Sequence, residues 1–374
     1  MSAGLYLHLP FCAHHCPYCP FTISTHFEWE DRYFRALATE LELVAAGAED
    51  VAVETVYFGG GTPSSSRPGA VAGLLAGVRR RFAVDSGAEV TAEANPDDVT
   101  PILIEEWVEA GVTRVSLGVQ SLEDAVLRAV ERTHTAAIAR EALDRLLAAG
   151  FDVSADLILG LPEQSAESFL SDAGELSEAG APHLSIYMLE LDQALAMAKD
   201  RALAPERYLT DDAQAETYLE LSRRLAARGY RHYEVSSWAR GGSLARHNQK
   251  YWRRETTLAV GLGAHEFSGG VRRANTRSMA AYVEALEAGR RPTETEQRLD
   301  PAEEARERIV LAARTDEGIP ERDLEEYVAD SGDRELSADL RRWVEGGILE
   351  HRDGRYALTE RGFLMSNEVL CRFV

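Results

Sequence analysis

The chain has 374 residues, of which 45% are hydrophobic and 27% charged, and its formal net charge at pH 7 is -22. This length and composition are typical of a globular protein with one large and one small domain. The acidic balance argues against nucleic acid as a partner and against general attraction to anionic lipid. The first apolar run begins almost at once, without a basic leader or a long apolar segment, so we expect a cytoplasmic protein with no transmembrane segment.

Three of the four cysteines lie in one short segment that follows the first apolar run. Cys12, Cys16 and Cys19 have the spacing CxxxCxxC. Such a loop wraps three thiolates around one inorganic core, so we predict a 4Fe-4S cluster whose fourth iron is open to a small ligand. A zinc site with His14 or His15 as fourth ligand is less favoured, because zinc loops usually present CxxC pairs. A disulfide is less favoured still in a chain without a secretory signal.

Short apolar runs then alternate with longer amphipathic patterns, as in repeated β-α units. Several amphipathic stretches end in Ala-Gly, which marks the end of a helix before the next strand. Six such units predict an α/β fold, an open parallel barrel of (βα)6 form. The predicted strands are 4–9, 55–58, 89–93, 114–117, 153–159 and 183–188, and the predicted helices include 32–46, 71–82, 102–110 and 136–149.

Polar residues follow several of these strands, at the rim where a barrel carries its functional groups. The glycine run 59–61 follows the second strand, and without Cβ atoms its backbone can approach a ligand. A tight turn explains such a run about as well. Glu93, Gln120 and Asp156 stand beyond later strands, where a helix cap or a solvated rim residue is the commoner explanation for any one of them.

The composition changes near residue 297 to a charged helical pattern, followed by two short strands around residues 353–354. Helices followed by a hairpin are typical of a winged-helix-like module. This one is acid-rich and has no clear basic recognition helix, which favours a substrate cover or an interaction surface over DNA binding. Cys371 is interpreted as structural. We predict three parts: a core barrel over 1–230, a flanking segment over 231–296 and a small C-terminal domain over 297–374.

The segment Tyr6-Leu-His-Leu-Pro-Phe-Cys12, followed by Cys16-Pro-Tyr-Cys19, resembles the opening of the radical S-adenosylmethionine (SAM) enzymes. Later segments, over 231–239, 245–252 and 258–265, are similar to those of the branch that contains the oxygen-independent coproporphyrinogen dehydrogenases and the heme chaperones. The resemblance covers about residues 4–290. It implies a partial barrel in which the amino and carboxyl groups of SAM chelate the open iron.

The resemblance also implies a set of residues around SAM. These are Tyr6, Tyr18, Gly60, Gly61, Thr62, Glu93, Gln120, Arg132 and Asp156. The glycines and the threonine would face the amino group of SAM, and the tyrosines would pack beside its adenine. The four remaining side chains would hold the ribose hydroxyls and the carboxylate, because carboxylates accept from hydroxyls and a guanidinium binds a carboxylate through two hydrogen bonds.

The cysteine loop also separates the two branches of the family. The dehydrogenases carry a further cysteine two residues after the third cluster ligand, where this chain has Phe21. The sequence therefore favours a heme chaperone that delivers heme to acceptor hemoproteins such as respiratory-chain enzymes. A catalytic radical SAM enzyme, either an oxygen-independent coproporphyrinogen oxidase or a methyltransferase, is the alternative. Peripheral contact with a membrane and a homodimer both stay open.

A heme site needs an axial nitrogen, aromatic cover and a cation for the propionates. The segment Arg246-His-Asn-Gln-Lys-Tyr-Trp252 offers all three, and its resemblance to the family segment HNxxYW makes His247 the leading predicted ligand. A histidine that only hydrogen-bonds between the barrel and a flanking strand is the structural alternative. His232 and His265 are the other candidates. The segment 190–193 departs from the family pattern where we expect the substrate or heme pocket to be bordered.

Overall fold

The computed structural model describes residues 2–48, 50–191 and 195–373. Asp192 and Gln193, in the segment expected to border the pocket, lie outside these residues. The six predicted strands are all present and lie side by side in chain order, each parallel to the next. This confirms the α/β fold with an open parallel barrel. The strands are β1 (Ser2–Leu9), β2 (Ala52–Gly60), β3 (Ala83–Ala94), β4 (Arg114–Gln120), β5 (Asp152–Leu159) and β6 (His183–Met188).

Helices connect these strands and follow the last of them. They are α1 (Glu30–Ala46), α2 (Ala70–Arg81), α3 (Pro101–Ala110), α4 (Asp124–Ala129), α5 (Ala136–Ala148), α6 (Ala166–Glu178), α7 (Ala196–Leu203) and α8 (Asp211–Ala227). Thr100 and Thr135 begin α3 and α5, and each side-chain oxygen accepts a backbone N–H of the first turn. Gly111 ends α3 with φ 82°, so the Ala-Gly signal correctly marked a left-handed residue before the next strand.

The segment after α8 divides between the two edges of the sheet. β7 (Arg231–Glu234) and β8 (Ser237–Ala239) extend the β6 edge, and β9 (Thr257–Val260) lies parallel to β1 at the other edge. Antiparallel strands β10 (His265–Ser268), β11 (Val271–Asn275) and β12 (Thr293–Arg298) continue from β9. The sheet therefore contains 12 strands among the described residues, in the order β12-β11-β10-β9-β1-β2-β3-β4-β5-β6-β8-β7. Helix α9 (Arg246–Trp252) precedes β9, and α10 (Met279–Glu287) precedes β12.

The inner face of the barrel is polar, whereas its outer face packs against the helices. Along β5, Ser154 and Asp156 hydrogen-bond to side chains of neighbouring strands. The residues that alternate with them, Val153, Ala155 and Leu157, are buried in the apolar core. This alternation has the period of two that a strand with two different faces requires. The interior is therefore a polar lumen and not an apolar core.

Helix α9 closes the amino-terminal end of this lumen. The backbone N–H groups of Arg246 and His247, at the start of the helix, donate to the Glu89 carboxylate at 3.0 and 2.9 Å. A carboxylate at a helix N-terminus satisfies N–H groups that have no partner within the helix. The lumen is thus floored by α9, and its opposite end lies at the carboxyl ends of the strands.

The C-terminal part forms a small module with its own three-stranded sheet, in the order β13-β15-β14. Its turn at Asp353 and Gly354 has φ values of 49° and 69°, as a two-residue hairpin requires. His232 of β7 stacks on Trp238 and bonds Glu360 at 2.9 Å, which ties the module to the barrel edge. The elements are α11 (Pro301–Ala313), β13 (Ile319–Pro320), α12 (Glu321–Ser331), α13 (Leu336–Glu345), β14 (Leu349–Arg352), β15 (Arg355–Leu358), α14 (Glu360–Leu364) and α15 (Ser366–Leu370). None of the described helices combines the length and hydropathy needed to cross a membrane.

A buried carboxylate on α1 fixes the end of β9. Glu40 is fully buried and accepts hydrogen bonds from the Gly261 N–H at 2.7 Å, the Tyr282 hydroxyl at 2.6 Å and the Asn275 amide at 2.6 Å. Burial raises the pKa of Glu40 to about 7, although these donors oppose the rise. The contact joins α1, α10 and the β9 edge around one titratable group.

The raised pKa of Glu40 predicts a loss of stability above neutral pH. Its ordinary pKa is 4.5, so the stability linked to its protonated form is fully present below that pH and is lost as pH rises through about 7. Compared with Glu40→Gln, the wild type should lose about 1–3 kcal/mol of unfolding free energy between about pH 5 and about pH 8. Denaturant unfolding over this range measures it, with exposed Glu42→Gln on the same helix as control. The assignment would be contradicted if the difference in unfolding free energy between the wild type and Glu40→Gln did not vary with pH.

Candidate active site at the mouth of the barrel

The cysteine loop leaves the carboxyl end of β1 and folds back on itself. The Cys12 N–H donates to the Ser24 carbonyl at 3.0 Å, and the Ser24 N–H donates to the Pro10 carbonyl at 2.7 Å. A tight turn between Cys16 and Cys19 is closed by a backbone bond of 3.0 Å. Burial raises the pKa of Cys12 to about 11.

A chain of side-chain contacts links two of the cysteines across three strand ends. Cys12 Sγ lies 3.2 Å from Thr62 Oγ1, and Asn95 Nδ2 donates to the same Thr62 oxygen at 3.4 Å. Arg132 Nη2 donates to Asn95 Oδ1 at 2.7 Å, and its Nη1 lies 3.8 Å from Cys16 Sγ. The structure therefore brings predicted residues Thr62 and Arg132 together with the cysteine loop. Sequence reasoning gave Asn95 no role, although its place directly after β3 was a signal.

The glycine run lets the end of β2 press against the start of the cysteine loop. Gly60 has φ 116°, and a Cβ there would lie 2.5 Å from the His8 ring. A Cβ on Gly61 would lie 2.5 Å from the Pro10 backbone. Real Cβ atoms do not approach other atoms so closely, so larger residues at these positions would push the two strand ends apart. The run is therefore more than a tight turn.

The N–H groups of this run are already in use. Gly60 N–H donates to Glu93 Oε2 at 3.1 Å. The Gly61 N–H donates to the Leu9 carbonyl at the end of β1 at 2.8 Å, and the Thr62 N–H donates to the Phe11 carbonyl at 2.9 Å. The N–H groups of Gly60, Gly61 and Thr62 are therefore not free for a ligand, and the predicted contact of this run with SAM stays a prediction. The amino group of SAM only donates hydrogen bonds, so a contact here would have to use carbonyl oxygens.

Two predicted carboxylates face each other inside the lumen. Glu93 accepts from the Tyr57 hydroxyl at 2.8 Å, and Asp156 accepts from Ser116 and Ser154 at 2.7 and 3.1 Å. Burial raises the pKa of Glu93 to about 7 and that of Asp156 to about 6. Each carboxylate has acceptor positions beyond these bonds, which suits it to the hydroxyl groups of a ribose.

Arg132 carries a buried donor without a partner. Its Nη2 also bonds the Gly118 carbonyl at 3.0 Å, but its Nε has no hydrogen-bond partner among the described residues. Gln120 adopts a left-handed backbone conformation with φ 65°. A Cβ on Gly118 would lie 3.0 Å from the Gln120 amide nitrogen and 3.5 Å from Arg132 Nη2, so the Gln120 side chain lies on the same side as the guanidinium. A buried donor left unpaired is costly. The Arg132 guanidinium therefore fits an anionic ligand group such as the carboxylate of SAM.

The two predicted tyrosines lie in different places. Tyr18, in the cysteine loop, packs against an apolar cluster that includes Val126, Val130 and Ile158, which suits an adenine ring. Tyr6 lies within β1, three residues before the end of the strand. Its hydroxyl is 3.0 Å from the ring of His8, deeper in the lumen.

His247 has no nitrogen available in this structure. It is 1% exposed, its Nδ1 lies 2.8 Å from Thr55 Oγ1, and its Nε2 lies 2.9 Å from the Tyr251 hydroxyl. Burial lowers its pKa to about 3, so the ring is neutral. This geometry argues against the predicted role as axial heme ligand and matches the structural alternative. His232 is likewise bonded through both nitrogens, to Tyr218 and Glu360.

A single zinc ion is the alternative to a cluster in the cysteine loop. Within residues 2–48, 50–191 and 195–373, no three His, Cys, Asp or Glu side chains form a group that could hold one metal ion. A zinc site requires ligands that converge on one point. The described residues therefore hold no preformed zinc site, and the 4Fe-4S cluster stays a prediction.

Comparison with known proteins shows which family the chain belongs to. The sequence model of the radical SAM superfamily matches residues 6–176, and that of the HemN C-terminal domain matches residues 299–365. The chain is 35% identical to the heme chaperone HemW of Mycobacterium tuberculosis, over 98% of this chain and 93% of that one. This chain belongs to the HemW family of radical SAM proteins.

Further comparisons extend this result. The chain is 30% identical to the heme chaperone HemW of Lactococcus lactis, over 99% of this chain and 96% of that one. The solved structure of the radical SAM enzyme coproporphyrinogen III oxidase (HemN) from Escherichia coli superposes with a TM-score of 0.86, over 100% of this chain and 89% of that one, at 20% identity. At that identity the HemN structure shows a shared fold alone. This HemW-family chain therefore shares its whole described fold with 89% of that enzyme's chain.

The cysteine loop of this HemW-family chain predicts that its three cysteines are needed for the cluster and that Cys371 is not. Replacing Cys12, Cys16 or Cys19 by alanine should abolish the 4Fe-4S centre, since each thiolate binds a different iron. Replacing the exposed Cys371, remote in sequence from the loop, should leave the centre intact. Iron and sulfide content and visible absorption after anaerobic reconstitution measure the outcome. An intact cluster in Cys16→Ala would contradict the assignment.

The unpaired Arg132 donor predicts a loss of SAM affinity. Arg132→Ala and Asp156→Ala should each weaken SAM binding by about 1–3 kcal/mol, because a polar group of the ligand would lose its buried partner. Calorimetry on the reconstituted protein measures this affinity. Arg128→Ala, which removes an exposed arginine of α4, serves as the matched control. Unchanged affinity in both site variants would place SAM elsewhere.

Proposed function

We propose that this chain is a heme chaperone that binds a 4Fe-4S cluster, SAM and heme, and delivers heme to acceptor hemoproteins such as respiratory-chain enzymes. The observation that carries the proposal is its near full-length similarity to proteins named heme chaperones. Phe21 supports it, because this residue stands where the dehydrogenase branch has a further cysteine and its side chain is 67% exposed. An exposed apolar ring beside the cluster loop offers a contact surface for heme or for an acceptor.

The mouth of the barrel supports the cofactor part of the proposal. Cys12, Cys16 and Cys19 would hold the cluster, which when bound supplies an electron and an open iron for the amino and carboxylate groups of SAM. Arg132 would neutralise the SAM carboxylate through its free donor. Tyr18 and its apolar neighbours would exclude water from the adenine. The remaining predicted SAM residues are Tyr6, Gly60, Gly61, Thr62, Glu93, Gln120 and Asp156.

Electrostatics supports a heme position outside the lumen. Glu93 and Asp156 line the lumen and would repel heme propionates whenever they are ionised. Of the two arginines among the described lumen residues, Arg114 is paired with Asp152, and Arg132 would bind the carboxylate of SAM. Propionates need accessible cations to replace their water. Heme would therefore bind on the sheet face or rim outside the closed barrel.

Location and assembly belong to the same proposal. Three partly exposed thiols of a cluster loop suit a reducing cytoplasm. A transient acceptor contact suits a protein that must release its cargo, and acceptors in the respiratory chain would bring it to a membrane surface without anchoring it there. The catalytic alternative is an oxygen-independent coproporphyrinogen oxidase or a methyltransferase on the same scaffold.

One set of assays separates the two functions. After anaerobic reconstitution, the protein should bind ferric heme and pass it to a heme-free acceptor faster than free heme reaches that acceptor. Coproporphyrinogen III incubated with the same protein, SAM and a reductant should remain unconverted. Absorption spectroscopy follows the heme, and chromatography follows the porphyrin and SAM cleavage. A protein that takes up no heme but converts coproporphyrinogen III would overturn the chaperone function in favour of catalysis.

A further inference from the structure

A chain of buried polar side chains connects the lumen to strand β7. Asp156 Oδ1 accepts from the Ser154 hydroxyl at 3.1 Å. Ser154 Oγ lies 2.8 Å from His183 Nδ1, and His183 Nε2 lies 2.8 Å from the Tyr233 hydroxyl. Ser154, His183 and Tyr233 are each at most 3% exposed. A carboxylate that lines the lumen is therefore linked to the edge of the sheet through side chains that are all buried.

The hydrogen bonds of Tyr233 decide which nitrogen of His183 carries the proton. Burial lowers the pKa of His183 well below its ordinary value, and the charge of Arg114 lowers it further, so the ring is neutral and carries one proton. The Ala245 N–H donates to the Tyr233 hydroxyl oxygen at 3.2 Å. The Tyr233 hydrogen is left for His183 Nε2, the acceptor that the described residues offer it. The proton of His183 therefore lies on Nδ1, which donates to Ser154.

The same direction continues through Ser154. Because this hydroxyl accepts from His183, its own hydrogen is free for Asp156 at 3.1 Å or for Ser185 at 2.9 Å. The carboxylate is the stronger acceptor, since a hydrogen bond to an ionised group is roughly twice as strong as one between neutral groups. In the opposite direction the Ser154 hydrogen would go to His183, and Asp156 would lose a donor. The side chains thus form a directed relay that ends at the carboxylate.

The far end of the relay lies where the C-terminal module meets the barrel. The Asp316 N–H donates to the Tyr233 carbonyl at 3.1 Å, and the Val235 N–H donates to the Arg314 carbonyl at 2.9 Å. These two backbone hydrogen bonds attach β7 to the segment that follows α11. The position of the Tyr233 hydroxyl is therefore fixed by the module as well as by the barrel.

Asp156 needs these donors to stay ionised inside the lumen. Burial raises its pKa to about 6, although three serine hydroxyls oppose the rise. The charged and titratable groups that face it are Arg114 on β4, His183 and Tyr187 on β6, and Tyr57 and Glu93 across the lumen. Of these, Arg114 favours the ionised form and the Glu93 carboxylate opposes it. The loss of a donor would therefore move the titration of Asp156 into the neutral range.

We propose that Ser154, His183 and Tyr233 are positioning residues that orient the Asp156 carboxylate to accept from the ribose hydroxyls of SAM. An ionised carboxylate accepts at both oxygens, whereas a protonated one gives up part of this capacity. The role in binding rests on the proposed SAM site. The relay itself is a property of the protein without SAM, so the two can be tested separately.

An infrared pH titration of the anaerobically reconstituted full-length protein, without SAM, tests the relay. Carbon-13 labelling of aspartate separates its carboxyl bands from that of Glu93, and Asp156→Asn identifies the band of Asp156. Ser154→Ala should raise the pKa of Asp156 from about 6 to about 7, because the carboxylate loses a donor. Tyr233→Phe should raise it in the same direction but by less, because His183 then becomes a weaker donor to Ser154.

Tyr230→Phe is the matched control. Tyr230 is also buried, and its hydroxyl donates to the Ala181 carbonyl, outside the relay. Its replacement removes one buried hydroxyl, as Tyr233→Phe does, but should leave the pKa of Asp156 unchanged. A shift in this control as large as that in Tyr233→Phe would overturn the relay, because any loss of a buried hydroxyl would then suffice.

Calorimetry measures whether the relay serves SAM. The SAM affinity of the wild type should fall as the pH falls through the Asp156 pKa of about 6, since a protonated carboxyl group is a poorer acceptor. In Tyr233→Phe the same fall should occur at a higher pH, while Tyr230→Phe should follow the wild type. The positioning role is overturned if the SAM affinity does not follow the titration of Asp156.

The outcomes keep the relay and the proposed function apart. If folded Tyr233→Phe keeps the wild-type titration of Asp156, the relay is overturned whether or not SAM binds. If the titrations shift as expected but the wild type binds no SAM, the relay stands and the proposed SAM site fails. Nitrogen-15 NMR of labelled histidine in the wild type does not depend on how Tyr233→Phe folds. It should find the His183 proton on Nδ1, and a proton on Nε2 would overturn the relay.

Discussion

Polar side chains inside a barrel must bond to one another, and the rest of this structure depends on how they do so. The inner face carries carboxylates, hydroxyls, histidines and tyrosines where many barrels carry branched apolar residues. A buried polar group without a partner costs about 1–3 kcal/mol, so each inward residue constrains its neighbours. At the floor, α9 supplies partners for Glu89 and Thr55. At the mouth, polar groups lack some of their hydrogen-bond partners among the described residues. A ligand that supplies those hydrogen bonds would therefore bind there.

The contrast between floor and mouth explains the division of roles within the chain. The HNxxYW segment carries side chains that could bind a ligand. In the structure it forms α9, and its polar groups bond to residues at the amino-terminal end of the barrel instead. At the mouth, Arg132 contacts Asn95 and the Cys16 thiol. Its Nε has no hydrogen-bond partner among the described residues. The glycine run adds a steric condition, because only glycine allows β2 to approach Pro10 so closely. These contacts fix the position of the cysteine loop relative to the lumen.

The extension of the sheet gives the molecule a second inner surface outside the barrel. Strands β10 and β11 continue the lumen face beyond β9, and Glu40 holds this edge against α1. On this surface Arg254 and Arg272 lie over the Phe267 ring, and both pair with Glu307 of α11. The extension is therefore held to the C-terminal module by ion pairs, whereas the lumen carries carboxylates that bond to hydroxyl groups.

The sequence by itself determined the six-stranded α/β plan, because strand and helix periods are local properties of the chain. It also located the cysteine loop and the polar residues after the strands, since their spacing needs no knowledge of distant neighbours. It could not decide which edge the later strands join, because that depends on pairing with β1 and β6 far away in sequence. For the same reason it could not show that the Gly60 N–H is taken by Glu93 or that His247 is enclosed between Thr55 and Tyr251. Whether a side chain binds a ligand depends on which of its atoms the fold has already satisfied, and only the tertiary structure decides that.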